Sequence, residues 1–295
     1  MNTQQHTYLQ IRLRGQLITY TPLRIGAGRS YDLVGDDLPV VKDVLGRPVI
    51  PGSSVKGALR AYAESFLRAL GEIIPAANSL LACDPLVAPC IPQERISALK
   101  DEYREQSELV DALLRQETCW ACRVFGAPWQ ASPVLLKDLP VQDTAWYEVY
   151  EQRDGVSINR DKQTAQAKKL YSFEAVPEHT PFDFELVAND LNESGLGLLL
   201  LALEGLTTES ILLGGARSRG LGGVRLDIDW DHVEEARADN VFAVWGNRVI
   251  GAAVPSRAWS ATQRDAWIEK FFLEIGLSEA HISEWRQARV AQQEG

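Results

Sequence analysis

Histidine is scarce in this chain. Its 295 residues hold four, His6, His179, His232 and His281, and none lies in a glycine-rich or acidic motif. A nuclease or hydrolase that uses imidazole as its proton shuttle is therefore disfavoured. No GxSxG nucleophile elbow and no HExxH pair occurs. No run of eighteen apolar residues is present, so no membrane-spanning helix and no membrane partner are expected. The opening MNTQQHT lacks the basic and apolar regions of a signal peptide, which gives the expectation of a cytoplasmic protein. Low-complexity segments and tandem repeats are missing too. What remains is ordinary globular material, 45% hydrophobic and 24% charged, long enough for one large or two small domains.

Basic charge is also in short supply, 30 Lys and Arg against 40 Asp and Glu. Taken whole, that argues against nucleic acid, which calls for a basic surface. The distribution is uneven, however. Residues 1–62 carry eight basic and four acidic side chains, 151–171 five and three, and 205–225 three and one. The last stretch, 226–295, carries seven and twelve. A local phosphate track within an acidic protein fits this pattern, and so do ordinary solvated faces.

Residues 8–20 (YLQIRLRGQLITY) alternate as a half-buried strand does. A turn-rich stretch, 21–55, leads into 54–70, where Val55, Leu59, Tyr62, Ala63, Phe66, Leu67 and Leu70 recur at helical spacing, with Ser53 or Ser54 as N-cap. Residues 75–135 read as an insertion with a charged helical stretch near 93–116. An extended hairpin pattern occupies 145–190, a second buried helix 194–206 and a strand VRLDIDW follows a glycine-rich loop. Two amphipathic helices are expected from about Ser260 and Ser278. This order predicts an α+β fold with helices layered on a sheet, and a ferredoxin-like or RRM-like core elaborated by insertions fits it.

Four segments carry chemistry. RPVIPGSSVKGALR (47–60) puts Lys56 and Arg60 one turn apart at a helix start, where free N–H groups favour an anion; the plain alternative is a capped helix with two solvated cations. LGGARSRGLGG (213–223) places Arg217 and Arg219 among five glycines, which lets a backbone approach a phosphate closely. It matches neither the P-loop nor the dinucleotide pattern, and a tight helix-to-strand turn is the alternative. YDLVGDDLPVVKD (31–43) crowds Asp32, Asp36, Asp37 and Asp43, which suits a divalent cation beside a phosphate or, more blandly, a solvated acidic loop. Finally Cys119-x2-Cys122 pairs with Cys83-x6-Cys90. In a cytoplasmic chain, four cysteines with no spare point to tetrahedral zinc rather than disulfides, and four thiolates make the site structural; two buried free thiols and a chance CxxC are the alternative.

Together and in this order, these segments resemble the RAMP superfamily, in particular the repeated backbone subunit of type III CRISPR complexes. Leu23–Gly28 with Gly35–Asp43 is similar to that family's catalytic loop, Ile50–Gly57 to its helix-start signature and Cys119–Gly126 to its zinc-lobe signature. Gly155–Arg160 is similar to the start of its thumb hairpin and Gly214–Gly222 to its glycine-rich loop; the resemblance spans about residues 8–230. It implies an RRM-like palm (1–74 and 136–230) with a thumb hairpin at about 150–185, a zinc-binding insertion lobe (75–135) and a helical C-terminal extension (231–295). It implies copies of the chain stacked with other subunits along a guide crRNA. Complementary target RNA would be cut with Mg²⁺ or another divalent cation, Asp37 acting as the required aspartate and Asp36 as its neighbour. Guide contacts are expected from Arg24, Lys56, Arg60, Arg160, Gly215, Arg217, Ser218, Arg219 and Gly220. A non-catalytic scaffold of the same complex is the second reading. A guide-processing nuclease of the superfamily is the third, disfavoured by the missing active-site histidine and the cysteine lobe. The extension is expected to dock a neighbour or to cover the sheet.

Overall fold

A computed structural model describes residues 10–28, 38–74, 81–159 and 164–293. Strand β1 (Gln10–Thr19) is the centre of the molecule. Its alternation buries Ile11, Leu13 and Leu17 on one face and leaves Arg12, Arg14 and Gln16 on the other. It pairs antiparallel along nearly its whole length with β7 (Pro181–Asn189), from Gln10↔Asn189 to Ile18↔Pro181. Its opposite edge is shared: β8 (Val224–Ile228) takes the C-terminal half and β9 (Val233–Ala236) the N-terminal end. Beyond these, β3 (Val134–Leu136) joins β7, and β10 (Ser256–Arg257) joins β9. The result is a mixed fold on an antiparallel sheet.

Helix α1 (Gly52–Ile73) buries Val55, Leu59, Ala63 and Leu67, an i, i+4 stripe. Helix α5 (Glu193–Thr207), capped by the Asn192 side chain on the Gly195 N–H at 2.8 Å, is apolar almost all round because it has neighbours on both sides. The two helices pack on each other, α1 against β3 and α5 against β8. Along the chain the core therefore runs β1–α1–β3, then β7–α5–β8, with spatial strand order β8-β1-β7-β3.

The first helix corrects one expectation. It begins at Gly52 after Pro51, and neither Ser53 nor Ser54 caps it. The Gly52 N–H is instead bound by the Asp138 carboxylate at 2.8 Å, and a Cβ at Gly52 would strike the Leu136 and Lys137 carbonyls. The short β2 (Val49–Ile50) and β4 (Leu139–Pro140) pair beside this junction.

In the insertion, the expected charged stretch is two helices, α2 (Gln93–Glu102) and α3 (Ser107–Glu117), with a small core of Ile91, Ile96, Leu99, Val110 and Leu114. Helix α4 (Trp120–Phe125) follows and joins the main core. The hairpin is β5 (Glu151–Asn159) with β6 (Thr164–Ala175), paired from Glu151↔Ala175 with a register shift between Val156 and Ile158.

The C-terminal part is woven into the fold. Beyond α6 (Val241–Val249) lie α7 (Ala261–Glu274) and α8 (Glu279–Gln293), which begin near Ser260 and Ser278 as expected, and the Ser260 side chain caps α7. Helix α7 runs over α5 so closely that a Cβ at Gly197 would meet the Trp267 carbonyl. Trp267, Ile268, Phe271 and Phe272 belong to the main core. The extension thus covers the helical layer and widens the sheet through β9 and β10. Glu234 and Glu235 on β9 are buried because their charges are matched. Arg12, Arg14 and Arg248 reach Glu234; Arg237, Arg257 and the Trp259 indole reach Glu235.

Candidate functional site

Four segments converge beside the base of the β5–β6 hairpin. Residues 22–27 lie between the others: Leu23 and Val176 exchange backbone hydrogen bonds at 2.9 and 2.7 Å, and Ala27 and Val41 bind the carbonyls of Pro39 and Ile25 at 3.0 and 2.9 Å. Leu38 bridges to Phe173, and the Glu174 N–H binds its carbonyl at 3.2 Å. On the other side the Gly215 N–H binds the Arg24 carbonyl at 2.8 Å, and the Gly222 N–H binds that of Pro22 at 2.9 Å.

The glycine-rich loop needs its glycines for this approach. Gly214 and Gly222 adopt φ of +74° and +90°, and a Cβ at either would run into a carbonyl oxygen, of Arg24 and Leu213 respectively. Gly222→Ala is expected to destabilise the protein by about 2 kcal/mol or more, read as a lower denaturation midpoint at unchanged slope, since strain of this kind costs about 1–3 kcal/mol. Between them Ala216 and Gly220 are left-handed and flank a single 3-10 turn, Arg217–Arg219. The turn presents Arg217, Ser218 and Arg219 to solvent, with Arg219 donating to the Tyr171 hydroxyl at 2.8 Å.

Arg24 sits beneath this turn, half-buried. Its guanidinium lies 5.4 Å from the Phe173 ring centroid, and any side chain at Gly26 or Gly215 would touch it. Its Nε is buried and has no hydrogen-bond partner among the described residues. The nearby carboxylate of Glu174 is already committed to Lys42 and to the Val40 N–H. Arg24 over Phe173 and Arg219 on the Tyr171 hydroxyl thus flank one stacked pair of rings, with Arg217 exposed on the same turn, a setting suited to phosphate and sugar. Tyr171 and Phe173 are missing from the sequence-based assignment; a Y-x-F alternation in the second strand of the hairpin, β6, is the available signal.

Asp36, Asp37 and Arg160 lie outside the described residues, as does Asp32. The chain enters that acidic segment after Gly28 and leaves it at Leu38, which bridges to Phe173.

Lys56 and Arg60 stand elsewhere. Lys56 donates to the Val134 carbonyl at 2.8 Å, and burial with Arg60 nearby holds its pKa below the ordinary lysine value. Arg60 donates to Glu64 at 2.7 Å, to the Gly126 carbonyl at 2.9 Å and to the Cys122 sulfur at 3.4 Å. Arg60 thus fastens α1 to the cysteine lobe and Lys56 fastens it to β3, and the anion at the start of α1 is the chain's own Asp138.

The four cysteines do come together. The sulfurs of Cys83, Cys90, Cys119 and Cys122 all lie within 4.8 Å of one another, with Cys83 and Cys122 at 3.6 Å. A tetrahedral metal with sulfur bonds of about 2.3 Å has sulfur–sulfur edges of about 3.8 Å, so the group could hold a metal ion. The thiols are free, and their acidities are split. Hydrogen bonds from Cys119 and Cys122 push Cys90 down, while bonds to Cys119 and Cys90 and burial push Cys122 up. Such a quartet ionises fully only when a cation shares the charge.

Against known sequences, residues 16–225 match the RAMP superfamily. The chain belongs to that superfamily. It is similar to the CRISPR system Cms endoribonuclease Csm3 of Methanocaldococcus jannaschii, 26% identical over 73% of this chain and 78% of the relative. The proteins of that name from Methanothermobacter thermautotrophicus and Enterococcus italicus are 25% and 26% identical. These cover 72% and 75% of this chain, and 81% and 92% of their own lengths. The RAMP match runs from the end of β1 to the start of β8, including the cysteine centre and the glycine-rich loop, and stops short of β9 and the helices after it.

Proposed function

We propose that this RAMP protein is a guide-crRNA-binding backbone subunit of a type III CRISPR complex and cleaves complementary target RNA. The observation that carries the reading is Arg24, an arginine whose buried Nε has no partner among the described residues, set over Phe173 and against Gly215 at the start of the turn that presents Arg217 and Arg219. The printed names of the relatives, each an endoribonuclease of a CRISPR system, support the activity. The strand order β8-β1-β7-β3 with α1 and α5 on one face supports an RRM-like, ferredoxin-like palm. On this reading β5–β6 is the thumb, 75–135 the zinc lobe and 231–295 the extension.

The guide backbone runs over Arg24, Gly215, Arg217, Ser218, Arg219 and Gly220, with Arg160 on the thumb. Lys56 and Arg60 serve the guide indirectly, by holding β3 and the lobe against α1. Contacts go to phosphate and sugar, because any guide sequence must fit. RNA brings its own nucleophile, the 2′-hydroxyl, so the protein has only to splay the target and hold that hydroxyl in line with the phosphate. The carboxylates of Asp36 and Asp37 are the donor type a hard divalent cation such as Mg²⁺ prefers, and such an ion would neutralise charge at the phosphate. Four thiolates suit zinc, which stabilises the lobe and leaves no open position for chemistry.

Replacing Arg217 and Arg219 by alanine tests the guide reading. Affinity for unrelated guides should fall by similar factors, and the slope of log affinity against log salt should flatten by about 1.4, at about 0.7 per phosphate contact on a single strand. A variant that instead prefers particular bases would overturn it. A non-catalytic scaffold subunit is the second reading; it predicts the same binding without cutting.

A further inference from the structure

We infer that Tyr171 is a positioning residue whose bond with Arg219 sets the direction of the β5–β6 hairpin from the glycine-rich turn, and so sets which target phosphate is presented for cutting. The hairpin is fastened to the body at its inner end. The Glu174 N–H binds the Leu38 carbonyl, and Val176 and Leu23 exchange backbone bonds. Phe173 and Ala175 of β6 are buried with Leu221 of the glycine-rich loop in a small core of their own, against which Leu38, Tyr171 and Ala216 pack. Tyr171 lies farther out than these anchors, on the same face of the strand as Phe173. The two rings stack with centroids 6.3 Å apart and planes 30° from parallel.

Across the ladder Tyr171 pairs with Gly155 of β5. Space, not backbone angle, demands glycine there: a Cβ would come 2.2 Å from the ring Cζ and 2.5 Å from the hydroxyl oxygen. The tyrosine ring fills the place a side chain at 155 would take, and its hydroxyl accepts from Arg219 Nη1 at 2.8 Å. Arg219 ends the 3-10 turn that follows Ala216, itself part of the same small core. One side chain therefore touches both strands of the hairpin and the turn that presents Arg217 and Arg219. Packing explains the ring over the glycine, since phenylalanine would fill the same space. It does not explain the hydroxyl, which engages one N–H of the Arg219 fork and leaves the others for phosphate. The hairpin magnifies any error at this point. From Tyr171 to Thr164 the strand runs about 24 Å, so a turn of about 10° at Tyr171 moves its outer end by about 4 Å. One nucleotide along a strand is about 3.4 Å.

The link to cutting rests on the proposed function; the setting of the hairpin does not, and the two are measured separately. Non-cysteine spin labels at Thr164, where β6 starts, and at Asp183, exposed on β7, report the hairpin's direction in the full chain, with and without a guide-length RNA. Tyr171→Phe removes the hydroxyl and keeps the ring. It should broaden the distance distribution by about 4 Å at an unchanged melting temperature. Gly155→Ala should broaden it too, by pushing the ring aside from the opposite strand. With Arg219 already replaced by alanine, Tyr171→Phe should add nothing, because both changes break one bond. An unchanged width in Tyr171→Phe, or effects of the two changes that simply add, overturns the positioning role. In the assembled complex, Tyr171→Phe should lower the ratio of cutting at the parental phosphate to cutting at its neighbours about fivefold, the scale of one hydrogen bond. A slower variant whose cuts all stay at the parental phosphate is what a merely structural tyrosine gives, and it overturns the link to cutting. Tight binding with no cuts from the parent fails the nuclease reading instead, and the distances still decide whether Tyr171 sets the hairpin.

Discussion

An assembled complex carrying Asp37→Ala should hold complementary RNA as tightly as the parent and cut it at least about a hundredfold more slowly. The two halves of that result have separate physical origins. Binding is dominated by cations meeting phosphates, and a carboxylate contributes nothing to it; removing one beside the RNA lowers like-charge repulsion. Cleavage depends on charge arrangement at one phosphate, where losing a single electrostatic group costs about 10²–10³ in rate. The measurement uses labelled target RNA with Mg²⁺ or with EDTA. Wild type should give evenly spaced cuts ending in a 2′,3′-cyclic phosphate or its hydrolysis product, and EDTA should abolish them. Cutting by the variant at the parental rate sinks the assignment to Asp37 and passes it to Asp36. Tight, guide-dependent binding with no cuts from either protein leaves the scaffold reading.

Much of the scaffold was legible because it depends on short-range pattern. The alternation in β1, the i, i+4 stripe of α1, the hairpin and the start of α7 near Ser260 are written in periods of 2 and 3.6. What escaped depends on pairing at a distance. Strand β9 reads Val-Glu-Glu-Ala and looks like a solvated segment. Its two glutamates are buried only because arginines from β1, α6, β10 and the residue after the strand converge on them. The three-residue β3 is likewise too short to announce itself, and becomes a strand through its register with Leu186–Ala188. The site divides in the same way. Glycines and arginines at 213–223 were visible in the sequence, and so was the cysteine quartet, whose members meet across 39 positions of chain. The fate of Lys56 and Arg60 was not, since helical spacing places both on one face without saying that Val134, Gly126 and Cys122 lie across from it. Asp138 filling the helix start was hidden for the same reason, being 86 positions away.

Changing Cys119 to serine should release the metal and loosen the whole lobe. Little else holds the outer part of the lobe: among the described residues, α2 and α3 bury Ile96, Leu99, Val110 and Leu114, with Ile91 just before them. Cys119 is also the N-cap of α4, whose Trp120 packs edge-on against Phe271 of α7 at 5.3 Å. A metal held there would therefore brace the contact between the lobe and the extension as well. Structural zinc in small domains contributes about 10–16 kcal/mol of apparent binding free energy, and that energy is folding energy. Losing one thiolate should take zinc from about one equivalent per chain to near none by atomic emission and lower the melting temperature by roughly 10 °C or more, with the same shift when wild type is treated with a strong chelator. Arg60→Ala separates the ligands from their support. Arg60 donates to the Cys122 sulfur and partly offsets the net negative charge of a tetrathiolate centre. Its loss should leave zinc bound but weaken retention against a competing chelator about 10–100-fold, with less effect on melting than the cysteine change. If wild type carries no zinc and its melting is indifferent to chelator, the cysteines are packing residues. The 3.6 Å between Cys83 and Cys122 would then reflect close-packed thiols, since a disulfide needs about 2.05 Å.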